Sequence, residues 1–265
     1  MPRDFRFGLS LRDTSSAAKV RDAARLAEDL GYDVLLVPDH LGAPAPFPVL
    51  ATAAAASQTL RLGTFVLNAC FYKPALLARD VGALHDLSGG RFEVGLGAGY
   101  VREEFEAAEL PFPSARQRIE YLEHVVEHLA EHVPGAPIMI AGGGDRLLTV
   151  AGKWAAIVGV TGNPVAERIA FLREVAGTRF DDIELNLAIT AVPAAGADMP
   201  NLTMTRHYAP GLSDEQLLAL PGVLSGSVTE MADKVRGLRD TYGANYLVVQ
   251  ASHAEVFGKV IAHLR

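Results

Sequence analysis

Asp39 and His40 stand directly after the apolar run Val34-Leu35-Leu36-Val37-Pro38. An imidazole at the end of a buried strand can give or take a proton near neutral pH. The plainer alternative is a loop histidine satisfied by nearby backbone. A second candidate is Ala141-Gly142-Gly143-Gly144-Asp145-Arg146, which ends one apolar run and opens a helical pattern. Backbone N–H groups at a helix start attract anions, and Gly142 and Gly143 would let a phosphate come close. The same residues could be no more than a glycine-rich turn. The third is Arg91-Phe92-Glu93-Val94-Gly95-Leu96-Gly97-Ala98-Gly99-Tyr100, whose apolar half ends in three glycines spaced two apart. The dinucleotide fingerprint does not fit, because Glu103 to Pro113 brings charges and two prolines before any clear helix. These glycines either line something planar or simply turn the chain.

Other chemistries find less support. Cys70 is the only cysteine, which excludes an internal disulfide, and no general base pairs with it on spacing, so a small buried side chain is expected. His124, His128 and His132 lie four apart on one helix face, an arrangement metals can use, but no carboxylate stands at the needed position. A solvated face is the expectation there. None of the five lysines falls within an apolar strand, where a Schiff-base lysine would be desolvated. Paired carboxylates at strand ends, as glycoside hydrolysis needs, do not stand out.

Eight apolar segments must position these groups: Phe5–Leu11, Asp33–Val37, Arg61–Leu67, Phe92–Leu96, Pro137–Ala141, Ala156–Val160, Ile183–Ile189 and Asn245–Gln250. They are continuous apolar runs, as parallel strands covered on both faces require. Helical spacing separates them, with Asn163-Pro164 as a cap and first-turn proline and Ser227-Val228-Thr229-Glu230 as a capping box. The alternation predicts a single domain over residues 1–265, a (β/α)8 TIM barrel, with a doubly wound sheet as the competing arrangement. Insertions are expected after strand four, over Tyr100–Ala115, and after strand seven, over Val192–Gly226. Both would emerge at the carboxyl ends of strands, where barrel enzymes carry their chemistry. The alanine-rich run Thr52–Ser57 predicts a helix suited to close packing, within the subunit or at a dimer seam.

A net charge of -7 argues against a general nucleic-acid surface. The N-terminal residues lack a signal-peptide core, and no apolar run is long enough for a bilayer, so a soluble cytoplasmic protein without membrane partners is expected.

Together these segments resemble the luciferase-like monooxygenase superfamily, particularly its actinobacterial deazaflavin-dependent (coenzyme F420) branch. The matching stretches are Ala24 to Asp33, Val37-Pro38-Asp39-His40, Arg61-Leu62-Gly63-Thr64, Pro74 to Arg79 and, most densely, Asp86 to Tyr100 with Glu103-Glu104-Phe105 beyond. The resemblance implies a barrel enzyme, commonly a homodimer, that holds a flavin or deazaflavin at its carboxyl face and acts on a small-molecule substrate. Asp39 and His40 would lie beside the tricyclic ring, with His40 transferring a proton. Thr64, Phe65 and Val66 match a strand-three region whose backbone bulge buttresses the ring in relatives. Gly97, Ala98, Gly99 and Tyr100 would border its pyrimidine side. Gly142 and Gly143 would hold the cofactor phosphate, with Thr161 as a further contact. The implied function is hydride transfer between coenzyme F420 and a small organic molecule. The alternatives are an FMN-dependent monooxygenase served by a separate reductase and a non-catalytic flavin-binding relative. Two departures stand out: Leu41-Gly42-Ala43-Pro44 lacks the tryptophan of sugar-phosphate and alcohol dehydrogenases, and Tyr100 replaces a glutamate. Both put those oxidations in doubt.

Overall fold

A computed structural model describes residues 3–265. Nine parallel strands form one closed sheet: β1 (Arg6–Ser10), β2 (Val34–Val37), β3 (Arg61–Thr64), β4 (Leu67–Asn68), β5 (Phe92–Gly97), β6 (Ile138–Gly142), β7 (Ile157–Val160), β8 (Glu184–Ala188) and β9 (Ala244–Gln250). The order runs β3-β2-β1-β9-β8-β7-β6-β5-β4, and pairing of β3 with β5 closes the ring. β3 and β4 together make the third staff of an eight-staved (β/α)8 barrel, as the alternation predicted. The sequence pattern implied one unbroken strand there, and the structure corrects it. Gly63 faces Glu93 and Leu67 faces Leu96, so four steps on one strand oppose three on the other. That single extra residue is a bulge. It falls at Thr64-Phe65-Val66, where the Phe65–Val66 peptide is cis.

Period-two alternation divides the strand residues between two cores. Outward-facing Phe7, Leu9, Leu35, Leu62, Phe92, Val94, Ile140, Leu187 and Leu247 pack under the helices. Inward-facing Val34, Leu36, Met139, Ile157, Tyr246 and Val248 form a separate cluster inside the barrel, joined by Phe65 and Val66 of the bulge. The amino-terminal end of the lumen is closed by charge. Arg6 pairs with Glu184 and, at 2.6 Å, with Glu93, while its guanidinium lies 4.3 Å from the centre of the Tyr246 ring. The Tyr246 hydroxyl donates to Glu93 at 2.8 Å. Burial opposes the Arg6 charge, but Glu93, Tyr246 and Glu184 outweigh it and hold the guanidinium more firmly protonated than usual.

The helices that bear on the rim are α1 (Ala17–Asp29), α2 (Pro46–Ala54), α3 (Pro74–Leu87), α4 (Arg102–Ala107), α5 (Ala115–His132) and α6 (Asp145–Trp154). Beyond them come α7 (Val165–Ala176), α8 (Thr203–Tyr208), α9 (Asp214–Leu218), α10 (Val228–Tyr242) and α11 (Ala254–Leu264). Ser227 caps α10 in a full capping box with Glu230. Asn163 does not cap α7: Pro164 occupies the cap position without a side-chain bond, and the Asn163–Pro164 peptide is cis. α4 is a second correction, since a helix forms where charges and prolines argued for a loop. Its acidic residues Glu103 and Glu104 sit in the first turn, where the helix dipole favours them, and Pro111 and Pro113 fall after its end. Among the described residues, no helix is long and apolar enough to cross a membrane.

Candidate active site

β2 delivers Asp39 and His40 to the carboxyl rim. Asp39 is partly buried, and its Oδ2 accepts the Asn68 N–H at 3.2 Å and the Tyr72 hydroxyl at 3.1 Å. Burial raises its pKa above the ordinary carboxylate value and nearby Glu104 adds to the rise, against the two hydrogen bonds and His40. Its neighbour His40 is exposed, with Nδ1 2.7 Å from Glu104 Oε1. A carboxylate can only accept, so Nδ1 carries the hydrogen and Nε2 is the ring nitrogen left outside this contact.

Glu104 was absent from the residues that sequence reasoning assigned to the site. It lies 64 positions from His40 in the chain, and α4 is what brings it there. That helix has six residues, too few to stand alone, and is anchored by Phe105, which is 1% exposed. The Phe105 ring packs edge-on against Phe71 (5.3 Å between centroids) and Phe112 (5.0 Å). Arg102 and Arg118 lie over the Phe112 ring at 4.4 and 4.2 Å. Arg118 also donates to the Gly99 carbonyl at 2.9 Å, tying the α5 start to the end of β5.

The bulge is stitched to β5 through Thr64, whose hydroxyl donates to Gly95 O and accepts from Gly95 N–H, both at 2.8 Å. This gives Gly95 and Gly97 a structural reason. A Cβ on Gly95 would overlap the Thr64 carbonyl, and one on Gly97 would stand 3.0 Å from a Val66 methyl. Gly95 and Gly97 make room for the chain's own bulged strand. Above them Ala98 and Gly99 are partly exposed and Tyr100 is exposed. Cys70 is partly buried, with Sγ 3.8 Å from the Ala98 carbonyl, and burial pushes its thiol pKa up.

Across the rim, Gly142 closes β6, Gly143 follows it, and Gly144 caps α6 with no side-chain bond to the first turn. Gly143 must be glycine because a Cβ would strike the Thr161 carbonyl. Thr161 is exposed and donates its N–H to Gly142 at 3.3 Å. Arg168 adds a cation, donating to the Gly143 carbonyl at 3.2 Å and pairing with Asp145. Both predicted halves of the site therefore lie at the same end of the barrel, His40 at one side and the Gly142–Thr161 turn at another. His124, His128 and His132 lie along α5, where His128 and His132 stack at 3.9 Å.

Between the two halves the lumen ends in small side chains. By the alternation that points Leu36, Met139, Ile157 and Val248 inward, the next inward layer is Ser10, Gly97, Ala141, Gly159, Ala188 and Gln250. Ala141 and Gln250 are partly exposed and Ala188 is exposed, so small side chains ring the mouth of the lumen above the apolar plug. Gln250 lies between Arg12 and Met204 of α8. A separate cleft of about 490 Å³ opens beside His40, lined by Asp39, Leu41, Ala43, Phe71, Tyr72 and Leu110 among others.

Known proteins are similar to this chain in sequence and in fold. A 5,10-methylenetetrahydromethanopterin reductase of Archaeoglobus fulgidus is 27% identical over 168 residues, covering 56% of this chain and 50% of that protein. An F420-dependent glucose-6-phosphate dehydrogenase of Beutenbergia cavernae is 36% identical over 102 residues, 35% of this chain and 30% of that one. The chain thus spans at most about half the length of these curated relatives in the matched region. The solved coenzyme F420 dependent tetrahydromethanopterin reductase of Methanopyrus kandleri superposes with a TM-score of 0.78 at 19% identity, covering 99% of this chain and 100% of that one. Residues 5–201, which carry the bulge, the Asp39–His40 pair and the glycine turn, match the luciferase-like monooxygenase family, and the chain belongs to it.

Proposed function

We propose that this chain is an oxidoreductase that moves a hydride between coenzyme F420 and a small organic substrate. The carrying observation is the small-residue mouth of the lumen, floored by Leu36, Phe65, Val66 and Val248 and edged by Gly97, Ala141 and Ala188. A flat tricyclic ring fits a site with an apolar floor and no large side chain at its edge. The F420 dependence of the Beutenbergia relative supports deazaflavin over flavin. Thr64, Phe65 and Val66 would back the ring, Gly97, Ala98, Gly99 and Tyr100 would border it, and Asp39 would sit at its edge. The phosphate would take the α6 start, held by Gly142, Gly143 and Thr161, where the uncapped N–H groups favour an anion and Arg168, paired with Asp145, stands beside them.

The deazaflavin supplies a two-electron hydride carrier at C5. The protein supplies the rest: the bulge and lumen orient the ring, and His40 exchanges the proton through Nε2 while Glu104 holds Nδ1. Asp39 keeps this corner fixed through Asn68 and Tyr72. The β8–α10 segment, with Met199, Met204 and His207, caps the substrate side. A homodimer is the assembly we infer, on the resemblance to relatives. Equilibrium binding of the purified protein to F420 and FMN side by side tests the reading. F420 should bind about tenfold or more tightly than FMN. The reverse preference would favour an FMN-dependent monooxygenase, the reading that the family's description supports.

A further inference from the structure

Arg12 is turned toward the lumen by the strand that carries it. Phe7, Leu9 and Leu11 pack outward under the helices, so Gly8, Ser10 and Arg12 share the inward parity. Strand pairing reaches far enough to enforce it, because the Leu11 N–H still donates to the Leu36 carbonyl at 2.8 Å. Ser10 lies opposite Gln250 of β9, and Arg12 therefore stands one layer above the small-residue mouth. The guanidinium is held there. The Gln250 amide oxygen accepts from Arg12 Nε at 3.2 Å and from Nη2 at 3.3 Å, which leaves Nη1 uncommitted. Its charge is not neutralised. Neighbouring Asp13 pairs with Lys19 at 2.6 Å and accepts from the Ser15 hydroxyl at 2.8 Å, and among the described residues no carboxylate pairs with Arg12. Two phenols flank this place: Tyr100 beyond β5 is 67% exposed, and Tyr208 at the end of α8 is 56% exposed. Desolvation raises the pKa of the Tyr100 hydroxyl, Tyr208 and Glu104 add to the rise and Arg12 opposes it, so these groups share one side of the rim.

We propose that Arg12, with the Tyr100 and Tyr208 hydroxyls, is a specificity-determining seat for a carboxylate carried by the substrate. The planar guanidinium fork matches a carboxylate, and both phenols can donate to its oxygens. Glu104, engaged by His40, limits the charge this seat accepts. One guanidinium beside an acidic neighbour balances a monoanion and leaves a phosphate dianion in excess. The placement of the substrate over the lumen mouth rests on the F420 reading, whereas the anion seat itself does not. The tail of F420 also carries carboxylates, so the same chemistry has two sources. The substrate is the source assigned here, because the anionic tail goes to the α6 start across the rim.

NMR titrations of the full chain test the seat with benzoate, benzamide and phenyl phosphate, each with and without F420. Benzoate should bind in both conditions, about tenfold more tightly than uncharged benzamide or dianionic phenyl phosphate. Arg12→Gln should abolish that preference, while the melting curve and F420 affinity stay as in the parent. Lys73→Gln deletes another exposed charge from the same rim and should keep the preference. Tyr100→Phe and Tyr208→Phe should each weaken benzoate about threefold. Absence of benzoate binding, equal binding of benzamide or phenyl phosphate, an unchanged preference in Arg12→Gln, an equal loss in Lys73→Gln, or no loss in either phenylalanine variant would each overturn the seat. A fall in F420 affinity in Arg12→Gln that matches the fall for benzoate would give the guanidinium to the cofactor's tail and overturn it as well. Failure of F420 to bind the parent, with the benzoate results intact, would sink the cofactor reading and leave the seat standing.

Discussion

Asp39 carries a cost that its chemistry justifies. Its pKa is raised, chiefly by burial, so the folded protein binds that proton more readily than the unfolded chain. Stability contributed at this site is therefore complete below the ordinary carboxylate pKa and is lost as pH rises through the raised value. Asp39→Asn removes the charge, and its single amide oxygen can still accept from Asn68 and Tyr72, since both bonds already converge on Oδ2. The variant should melt higher than the parent at neutral pH, the gain vanishing in acid, while turnover falls. Melting temperatures across pH 4–8, roughly the carboxylate titration range and above, decide this. A variant equally stable or weaker at neutral pH would mean the carboxylate is not strained by burial. His40→Ala should cut turnover far more than F420 affinity, and steady-state kinetics beside equilibrium binding read the two separately. Equal losses in both would argue against proton transfer.

At the scale of elements, α4 does the positioning. Phe105 is fully buried between Phe71 and Phe112, so Phe105→Ala should cost about 3–5 kcal/mol, or as much of that as remains once the helix detaches. Chemical denaturation measures the stability loss, and turnover should fall with it because Glu104 leaves His40. Ser227→Ala removes the cap on α10 and should cost about 1 kcal/mol with turnover unchanged, which makes it a control for stability alone. The strands were legible from their apolar runs, and His40 from its place at a strand end. The break at Phe65-Val66 was not, because both residues are apolar and prolong the run whether or not they pair. α4 was hidden by its own acidic residues, which look like a loop until their place in the first turn is known. Glu104 as the partner of His40 had no local signal, since closure of the barrel alone brings the two together.

For the molecule as a whole, the buried ion-pair network and the candidate site lie at opposite ends of the barrel. Glu93 is 2% exposed and depends on Arg6, with Tyr246 and Arg61 as lesser partners. Arg6→Met would strand that carboxylate and should cost about 3–5 kcal/mol. Adding Glu93→Gln should recover part of the loss, a coupling that a double-mutant cycle measures. The rim, at the other end of the strands, should keep its F420 affinity in the double variant. Loss of binding there would mean the base network shapes the mouth after all.

One helix both grips His40 and borders the cleft, for Glu104 lies within α4 and Ala108 and Leu110 follow directly from its end. A molecule seated in that cleft and the His40–Glu104 contact would thereby be mechanically coupled. A molecule too bulky or wrongly shaped for the wall would push α4 outward and pull the carboxylate from the imidazole, so a misfit could occupy the protein and yet go unreacted. Discrimination between related compounds should then be written in how fast they are converted more than in how tightly they are held.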